Sequence, residues 1–540
     1  MTGTTARREI HTYKGQDRAL RAGRLGTAGL LLSVLAATAP LMVVAGVMPT
    51  TYAVMGITAQ PLLFVVLGVV MALFGVGYAE MSRHVHNAGA FYAYIARGLG
   101  GAAGAGASFV ALAAYNALQV GVYGLFGFEA ALLLDTYLSI RVDWWVIALL
   151  GIAVTGVLGA LKVDLNARVL GALLLVEVTL VVILDVAFAA DPGPQGLSLQ
   201  ALDPAALTGA GLGTALCFTV AAFLGFEQAP VYAEETHRPQ TVVRRVMFLA
   251  VGSVAVFFAL TSWLMGVATG PDHVVGAARE QSAGLLFGLS EPRLGGTFTD
   301  VLHVLFLTGI FACMLAFHNV VARYAFAMGR EGLLPAAVGR AARGTGAPAV
   351  GSMLQTAVAL LVVLAFALAD DGPHGDPTTP VLELFTWMGN VGALGVIALM
   401  ATTSVAVIAF FVRRGAVAVQ GARLACAGLA ALALTVIFGY AVADFEVLLG
   451  TDPDSALRWV LPGVIGAAAL AGVVVGLVLR SARPATYARI GLGNEAFQLA
   501  REAEHTAAPP VPGSAAPPVP GSLDPPATDQ TPEPPAKPER

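Results

Sequence analysis

Long apolar runs separated by short polar segments dominate the pattern of this chain. Residues 25 to 79 contain no Asp, Glu, Lys or Arg. A bilayer crossing takes about 20 apolar residues, so this run holds two crossings and a short turn. Comparable runs recur and give twelve predicted spans: 25–48, 57–80, 104–134, 143–162, 167–189, 209–233, 244–269, 297–326, 349–369, 382–412, 424–444 and 459–480. The runs at 104–134 and 382–412 exceed one crossing and are expected to tilt or to extend beyond the membrane. Backbone groups in hydrocarbon have no water to bond, so each run is predicted to be a helix. The fold class is therefore an all-α polytopic membrane protein.

Composition agrees. Of 540 residues, 57% are hydrophobic and only 12% are charged, about half the charged share usual in soluble domains. A water-exposed surface cannot be assembled from so few charges, which excludes a soluble enzyme of several domains. The net charge of −4 supplies no basic field for nucleic acid. Cys217, Cys313 and Cys426 stand far apart in apolar runs and read as small core residues rather than a disulfide framework or a zinc site.

The placement of charge predicts orientation. The segment before the first span carries Arg7, Arg8, Lys14, Arg18, Arg21 and Arg24 with no small-residue cleavage site behind them, and so reads as a cytoplasmic tail rather than a signal peptide. With that end inside, the inner segments hold 26 of the 30 basic residues, and the outer loops hold Arg141, Arg279, Arg293 and Arg458. Such a bias predicts twelve spans in the cell membrane with both termini cytoplasmic. From Ala507 the chain is Pro-rich, with the repeat AAPPVPGS at Ala507–Ser514 and Ala515–Ser522. That segment is expected to be a disordered, partly polyproline-II tail.

Two spans are interrupted. Span 1 carries Ala36–Pro40, and the missing amide of Pro40 is expected to leave the Ala36 carbonyl without its helical partner. Span 6 carries Phe223–Pro230, where Gly225 loosens the helix and Pro230 removes the bond to the Phe226 carbonyl. Either alone reads equally as an ordinary proline kink. Together, five spans apart, they predict an inverted 5+5 repeat over 25–189 and 209–413, followed by two extra helices at 422–480 and a cytoplasmic tail at 481–540. Two breaks facing each other at mid-membrane would offer helix N-termini to a carboxylate and freed carbonyls to an ammonium group. That pair of partners suits a zwitterionic amino acid.

Three motifs carry a family resemblance. YAEMSRHVHNAGAFYAYIARGLG at Tyr78–Gly100 is similar to E-L-S/R-x-x-x-P-x-x-G-G-x-Y-x-Y. FLGFEQAPVYAEETHRPQTVVRR at Phe223–Arg245 is similar to F-x-G-F-D/E followed by E-E-x-x-x-P. ARYAFAMGREGLLP at Ala322–Pro335 is similar to R-x-x-x-x-x-x-R-D-G-x-L-P. In this order and spacing the chain resembles the amino acid/polyamine/organocation (APC) permeases over roughly residues 20–485. The resemblance implies the LeuT-like inverted-repeat architecture. It assigns substrate binding to Ala37, Thr38, Ala39, Phe223, Gly225 and Glu227, with Phe223 as an aromatic lid. There are departures. The family's G-S/T-G in the first break, whose bare amides hold a substrate carboxylate, is Ala37-Thr38-Ala39-Pro40 here, and Asn87 replaces a proline.

Ionisable groups at bilayer depth are functional hypotheses. Glu177, mid-way along span 5, matches by resemblance the position of a lysine that fills the sodium site in some proton-coupled relatives. It is expected to carry a coupling proton, with a structural hydrogen bond as the alternative. For Glu227 the alternatives are contact with a substrate amine and a cap on the second half of span 6. Phe223 is otherwise core packing, and His318 and Asn319 reach either the cavity or a neighbouring helix. Asp185 is expected to be solvated. Glu234, Glu235, Arg244, Arg245, Arg323 and Arg330 form either an inner gate or solvated helix ends. His84 and His86 have no further ligands nearby, so no metal site is expected.

The function expected is secondary active import of an amino acid by alternating access, coupled to H+, without a cofactor or catalytic residues. The alternatives are a polyamine or other organic amine permease and an amino acid exchanger. No Walker lysine motif supports ATP-driven transport, no acid–base or nucleophile constellation supports a membrane enzyme, and the tail is too short to read as the signalling part of a sensor.

Overall fold

The structure, a computed structural model, describes residues 25–493 except 86, 161–162, 208–210, 282–283, 343–345 and 451–453, with the backbone alone at 163–170 and 417–419. These residues lie in one unit, Met1–Ala496. The second unit, Phe497–Arg540, the N-terminal tail of the sequence reading and His86 lie outside the described residues, whereas the expected C-terminal tail is described over 481–493, where it carries the end of the last span and a short helix at Pro484–Tyr487.

Among the described residues, eleven helices are long and apolar enough to cross a membrane, and one further apolar helix is shorter. We number them α1 (Thr27–Met55), α2 (Gln60–Ser82), α3 (Gly101–Leu138), α4 (Trp144–Gly159), α5 (Val163–Ala190), α6 (Leu212–Glu235), α7 (Pro239–Thr269), α8 (Gly296–Glu331), α9 (Ala349–Ala369), α10 (Thr378–Arg413), α11 (Val417–Ala443) and α12 (Leu457–Ala482). Each predicted span has its helix. The fourth, α4, has 16 residues and rises about 24 Å. Among the described residues the one extended pairing is a parallel bridge between Leu25 and Thr236.

Hydropathy did not announce three features. Short helices at Ala90–Leu99, Val274–Gln281 and Leu285–Leu294 flank the spans. Their sequences mix polar and apolar residues over fewer positions than a crossing needs. π-helical turns occupy Val43–Val47 in α1 and Thr378–Phe385 in α10. The lower half of α6 is a 3-10 helix over Phe226–Glu235, with Pro230 inside it.

Burial separates a core from a lipid-facing shell. In α6 and α8, 72% of the apolar stretch is buried, against 22% in α9 and α12. The exposed positions of the outer helices are large and apolar, such as Leu361, Leu432 and Leu470, as expected where the solvent is lipid. Lipid is as apolar as leucine, so the helices associate by close contact at small residues. A Cβ at Gly127 of α3 would lie 2.3 Å from the Trp144 carbonyl of α4. One at Gly472 of α12 would lie 2.4 Å from the Ala105 carbonyl of α3. The long α3 thereby packs on α4, α8, α10 and α12. Cys217 and Cys313 are buried as expected, and Cys426 is half-buried.

Candidate functional site

Local chemistry sets the break in α1. Pro40 has no amide hydrogen, and Ala39 before it adopts φ 42°, ψ 70°. The expected loss at the Ala36 carbonyl is corrected by the geometry. The last turn tightens to a three-residue bond, and the Ala39 N–H reaches that carbonyl at 3.2 Å. The Thr38 N–H bonds the Leu35 carbonyl at 3.1 Å, and the Thr38 hydroxyl donates to the same oxygen at 2.7 Å. The Ala37 carbonyl receives the Cys313 thiol of α8 at 3.5 Å. Ala37, Thr38 and Ala39 are all buried.

Below the break, the Leu41 N–H donates to Oε1 of Glu177 from α5. This is the first amide after Pro40, and a carboxylate 136 residues away takes it. Glu177 is 1% exposed. Its carboxyl also lies against Gly309 of α8, where an added Cβ would come within 2.8 Å of Oε2. Three helices thus converge on this group.

In α6 the chain leaves helical geometry at Leu224 and turns at Gly225, with φ 132° and ψ −42°. The Gly225 N–H donates to Glu227 Oε2 at 2.7 Å, and the Tyr115 hydroxyl of α3 donates to Oε1 at 2.8 Å. The Tyr78 hydroxyl of α2 donates to the Glu227 carbonyl at 3.1 Å. Glu227 therefore caps the break, and both its oxygens have donors. The ring of Phe223 packs on Phe64 of α2, with centroids 6.3 Å apart.

The two breaks touch. A Cβ at Gly225 would sit 2.9 Å from the Val34 carbonyl and 3.1 Å from both Ala37 Cβ and Thr38 Cγ2. Glycine is required here twice over, by its φ and by the approach of α1. Ala37, Thr38, Gly225 and Glu227 thus form one cluster, Glu177 stands on its α5 side, and Phe223 faces α2.

Sequence reasoning missed Tyr78, Tyr115 and Gln228. Gln228 is fully buried beside Glu227, and neither its amide nitrogen nor its amide oxygen has a hydrogen-bond partner among the described residues. An unpaired buried amide costs about 1–3 kcal/mol, so a polar ligand at this point would recover that energy. Its signal was present in FLGFEQAP, as a polar side chain next to the break. Tyr78 and Tyr115 lie on unbroken helices with no local mark.

At the end of the bundle where α6 finishes and α7 starts, the charge pairs are buried. Arg323 Nε reaches Glu235 Oε1 at 2.5 Å, and its guanidinium lies 4.5 Å from the Tyr232 ring centroid. Arg330 binds Glu234 through two nitrogens, at 2.6 and 2.8 Å. Asn87, at the family's proline position, donates to Glu331 at 2.6 Å, and Glu331 also takes the Gly491 and Gly493 amides. Across the same end the Leu25 N–H donates to the Glu235 carbonyl at 3.1 Å, and the His237 N–H donates to the Leu25 carbonyl at 2.9 Å. Arg244 and Arg245 are exposed and stay outside this cluster.

The other polar residues singled out from the sequence lie as follows. Asp185 was expected to be solvated. It is 5% exposed and accepts from Thr261 of α7 at 2.7 Å, because α7 covers the C-terminal half of α5. His318 joins Gln119 of α3 at 3.2 Å and Ser352 of α9 at 2.7 Å, and the Asn319 backbone carbonyl accepts from Arg323 Nη1 within α8 at 2.8 Å. His84 bonds the Glu80 carbonyl. Among the described residues no three His, Cys, Asp or Glu are grouped to hold a metal ion.

No curated protein matches the sequence. Two crystal structures of variants of the manganese transporter of Eremococcus coleocola share the fold, at 14% identity and TM-scores of 0.56 and 0.55. The match covers 86% of this chain and 95% of each of theirs. The sequence model described as "Amino acid permease" matches residues 30–465. The chain therefore belongs to the amino acid permease family of the APC superfamily and is a multi-pass membrane transporter.

Proposed function

We propose that this transporter imports an amino acid across the cell membrane by alternating access, coupled to H+, with both termini cytoplasmic. The observation that carries the reading is the abutment of the two broken helices at Gly225, Ala37 and Thr38, with Glu177 bonded to the first amide below the α1 break. Interrupted helices packed against each other give polar backbone at membrane depth, where a solute can exchange bonds with it. The 5+5 inverted repeat over 25–189 and 209–413 is part of the same reading, since it brings spans 1 and 6 together.

The mechanism follows from what each group does. Gln228 and the α6 backbone at Gly225 face the substrate's polar groups, with Ala37, Thr38 and Ala39 on the opposite side and Phe223 closing toward α2. Glu177 as a carboxylate holds the Leu41 N–H, and a proton on it weakens that acceptor and frees the lower half of α1 to move. The Arg323–Glu235 and Arg330–Glu234 pairs hold the cytoplasmic end shut, and they must separate to release the substrate inside.

A second reading has its own observation. The Thr38, Ala39 and Leu41 amides all have acceptors, Pro40 has none to give, and the Gly225 amide is held by Glu227. A carboxylate would have to displace those bonds, whereas an amine needs only acceptors. This favours a polyamine or other organic amine as the alternative substrate, and an amino acid exchanger remains the alternative in coupling. A competition screen in proteoliposomes separates them. Amino acids are expected to block uptake at lower concentration than the amines derived from them by decarboxylation. The reverse order would establish the amine reading, and no inhibition by either class would remove both.

A further inference from the structure

A cavity of about 370 Å³ opens at the end of the bundle where α10 and α12 finish and α3 begins. Arg97, Arg413 and Arg414 line it together with Phe410, Tyr487 and Gly101, and none of its lining residues is Asp or Glu. It lies apart from the broken helices and has no part in the transport reading. We propose that it is a headgroup site for an anionic phospholipid, binding the lipid phosphate.

The chemistry of the lining selects an anion. Arg413 is anchored through Nη1 to the Gly98 carbonyl at 2.8 Å, which fixes its guanidinium at the cavity wall. Arg414 stacks on Phe410, with its Cζ 4.1 Å from the ring centroid. A stacked or tethered guanidinium is pre-organised, so its remaining N–H groups bind phosphate with less loss of freedom than a loose side chain. Gly101 begins the 38-residue α3, and the positive end of that helix points the same way. The Tyr487 hydroxyl accepts the Ala102 N–H at 3.2 Å and closes the cavity toward the C-terminal side.

The surroundings select a lipid over a free phosphate. Val412, next to Arg413, is 51% exposed and apolar. Leu477 and Val478 are 49% and 55% exposed. They follow Gly476, which crosses Ala102 so closely that an added Cβ would lie 2.8 Å from its Cα. Apolar surface made for acyl chains therefore runs up to a basic cavity at the membrane boundary. Basic pockets in that position bind anionic headgroups.

The test uses the full chain purified in a neutral detergent, with melting temperature read against ligand concentration. Three probes are compared: short-chain phosphatidylglycerol, phosphatidylcholine of the same acyl length, and glycerol 3-phosphate. Phosphatidylglycerol is expected to stabilise the protein at concentrations at least about tenfold lower than phosphatidylcholine, and glycerol 3-phosphate to need far more than either. The Arg413→Gln/Arg414→Gln variant should lose the preference for the anionic lipid, and Arg414→Lys should keep part of it. If the double variant does not fold, Arg414→Gln alone, on an exposed side chain, should reduce the preference several-fold. Equal effects of the two lipids, a preference unchanged in these variants, or glycerol 3-phosphate acting as well as the lipid would each overturn the proposal.

Discussion

Glu177→Gln is expected to leave the transporter folded and able to move substrate while removing its response to a proton gradient. The amide oxygen of glutamine can still accept the Leu41 N–H, so the α1 break keeps its partner. The side chains are nearly equal in volume, which suits a site packed against Gly309. What disappears is the ability to take up and release a proton. A gradient of one pH unit is worth about 1.4 kcal/mol per proton, or tenfold accumulation. In proteoliposomes the parent protein should therefore accumulate substrate about tenfold for each unit of inward gradient at one proton per cycle. The variant should only equilibrate it, with exchange of internal for external substrate preserved. Full gradient-driven accumulation by Glu177→Gln would remove this residue from the coupling role and return it to the structural alternative.

The second large effect is expected at Gly225. Its φ of 132° lies where side-chain-bearing residues rarely go, and forcing alanine there costs about 1–3 kcal/mol. The added methyl would also meet the Val34 carbonyl at 2.9 Å and both Ala37 and Thr38 at 3.1 Å, so α1 and α6 must part to admit it. A loss of about 2 kcal/mol at the site is about a thirtyfold loss of affinity or rate. Gly225→Ala should accordingly reduce uptake by about that factor or more at unchanged expression. A control at Gly252, where an added Cβ meets nothing within 4 Å, should behave as the parent. Uptake by Gly225→Ala within twofold of the parent would mean that close apposition of the breaks is not needed.

The parts legible in the sequence are those where a single residue type dictates backbone behaviour. Apolar runs became helices because lipid offers no other partner for their amides. The breaks were visible because Pro40 lacks an amide and Gly225 tolerates positive φ, and both properties are local. The partners of those breaks were not local. Glu177 stood out as a charge in an apolar run, yet its bond to Leu41 spans 136 residues. Tyr115, which completes the Glu227 cap from 112 residues away, sits in an unbroken helix among small residues. Asp185 looked solvated because its position near the end of α5 was read along one helix, while its burial comes from Thr261 on another. Asn87 read as a departure from the family pattern, and its role emerged only with Glu331 brought beside it. The 3-10 and π segments were invisible for a different reason, since hydropathy does not distinguish bonds to the third, fourth or fifth residue. The inner charge cluster was legible as a set of residues but not as pairs, and Arg244 and Arg245 fell outside it.

On the proposed mechanism, substrate and proton move together through the site built on the α1 and α6 breaks. The most direct measurement places a pH-sensitive dye inside proteoliposomes holding the parent protein, with the membrane voltage clamped by potassium and valinomycin and no initial pH difference. Addition of an external amino acid that competes for uptake should acidify the lumen in step with its entry, at about one proton per substrate. Entry of the amino acid with no change in internal pH would contradict the account.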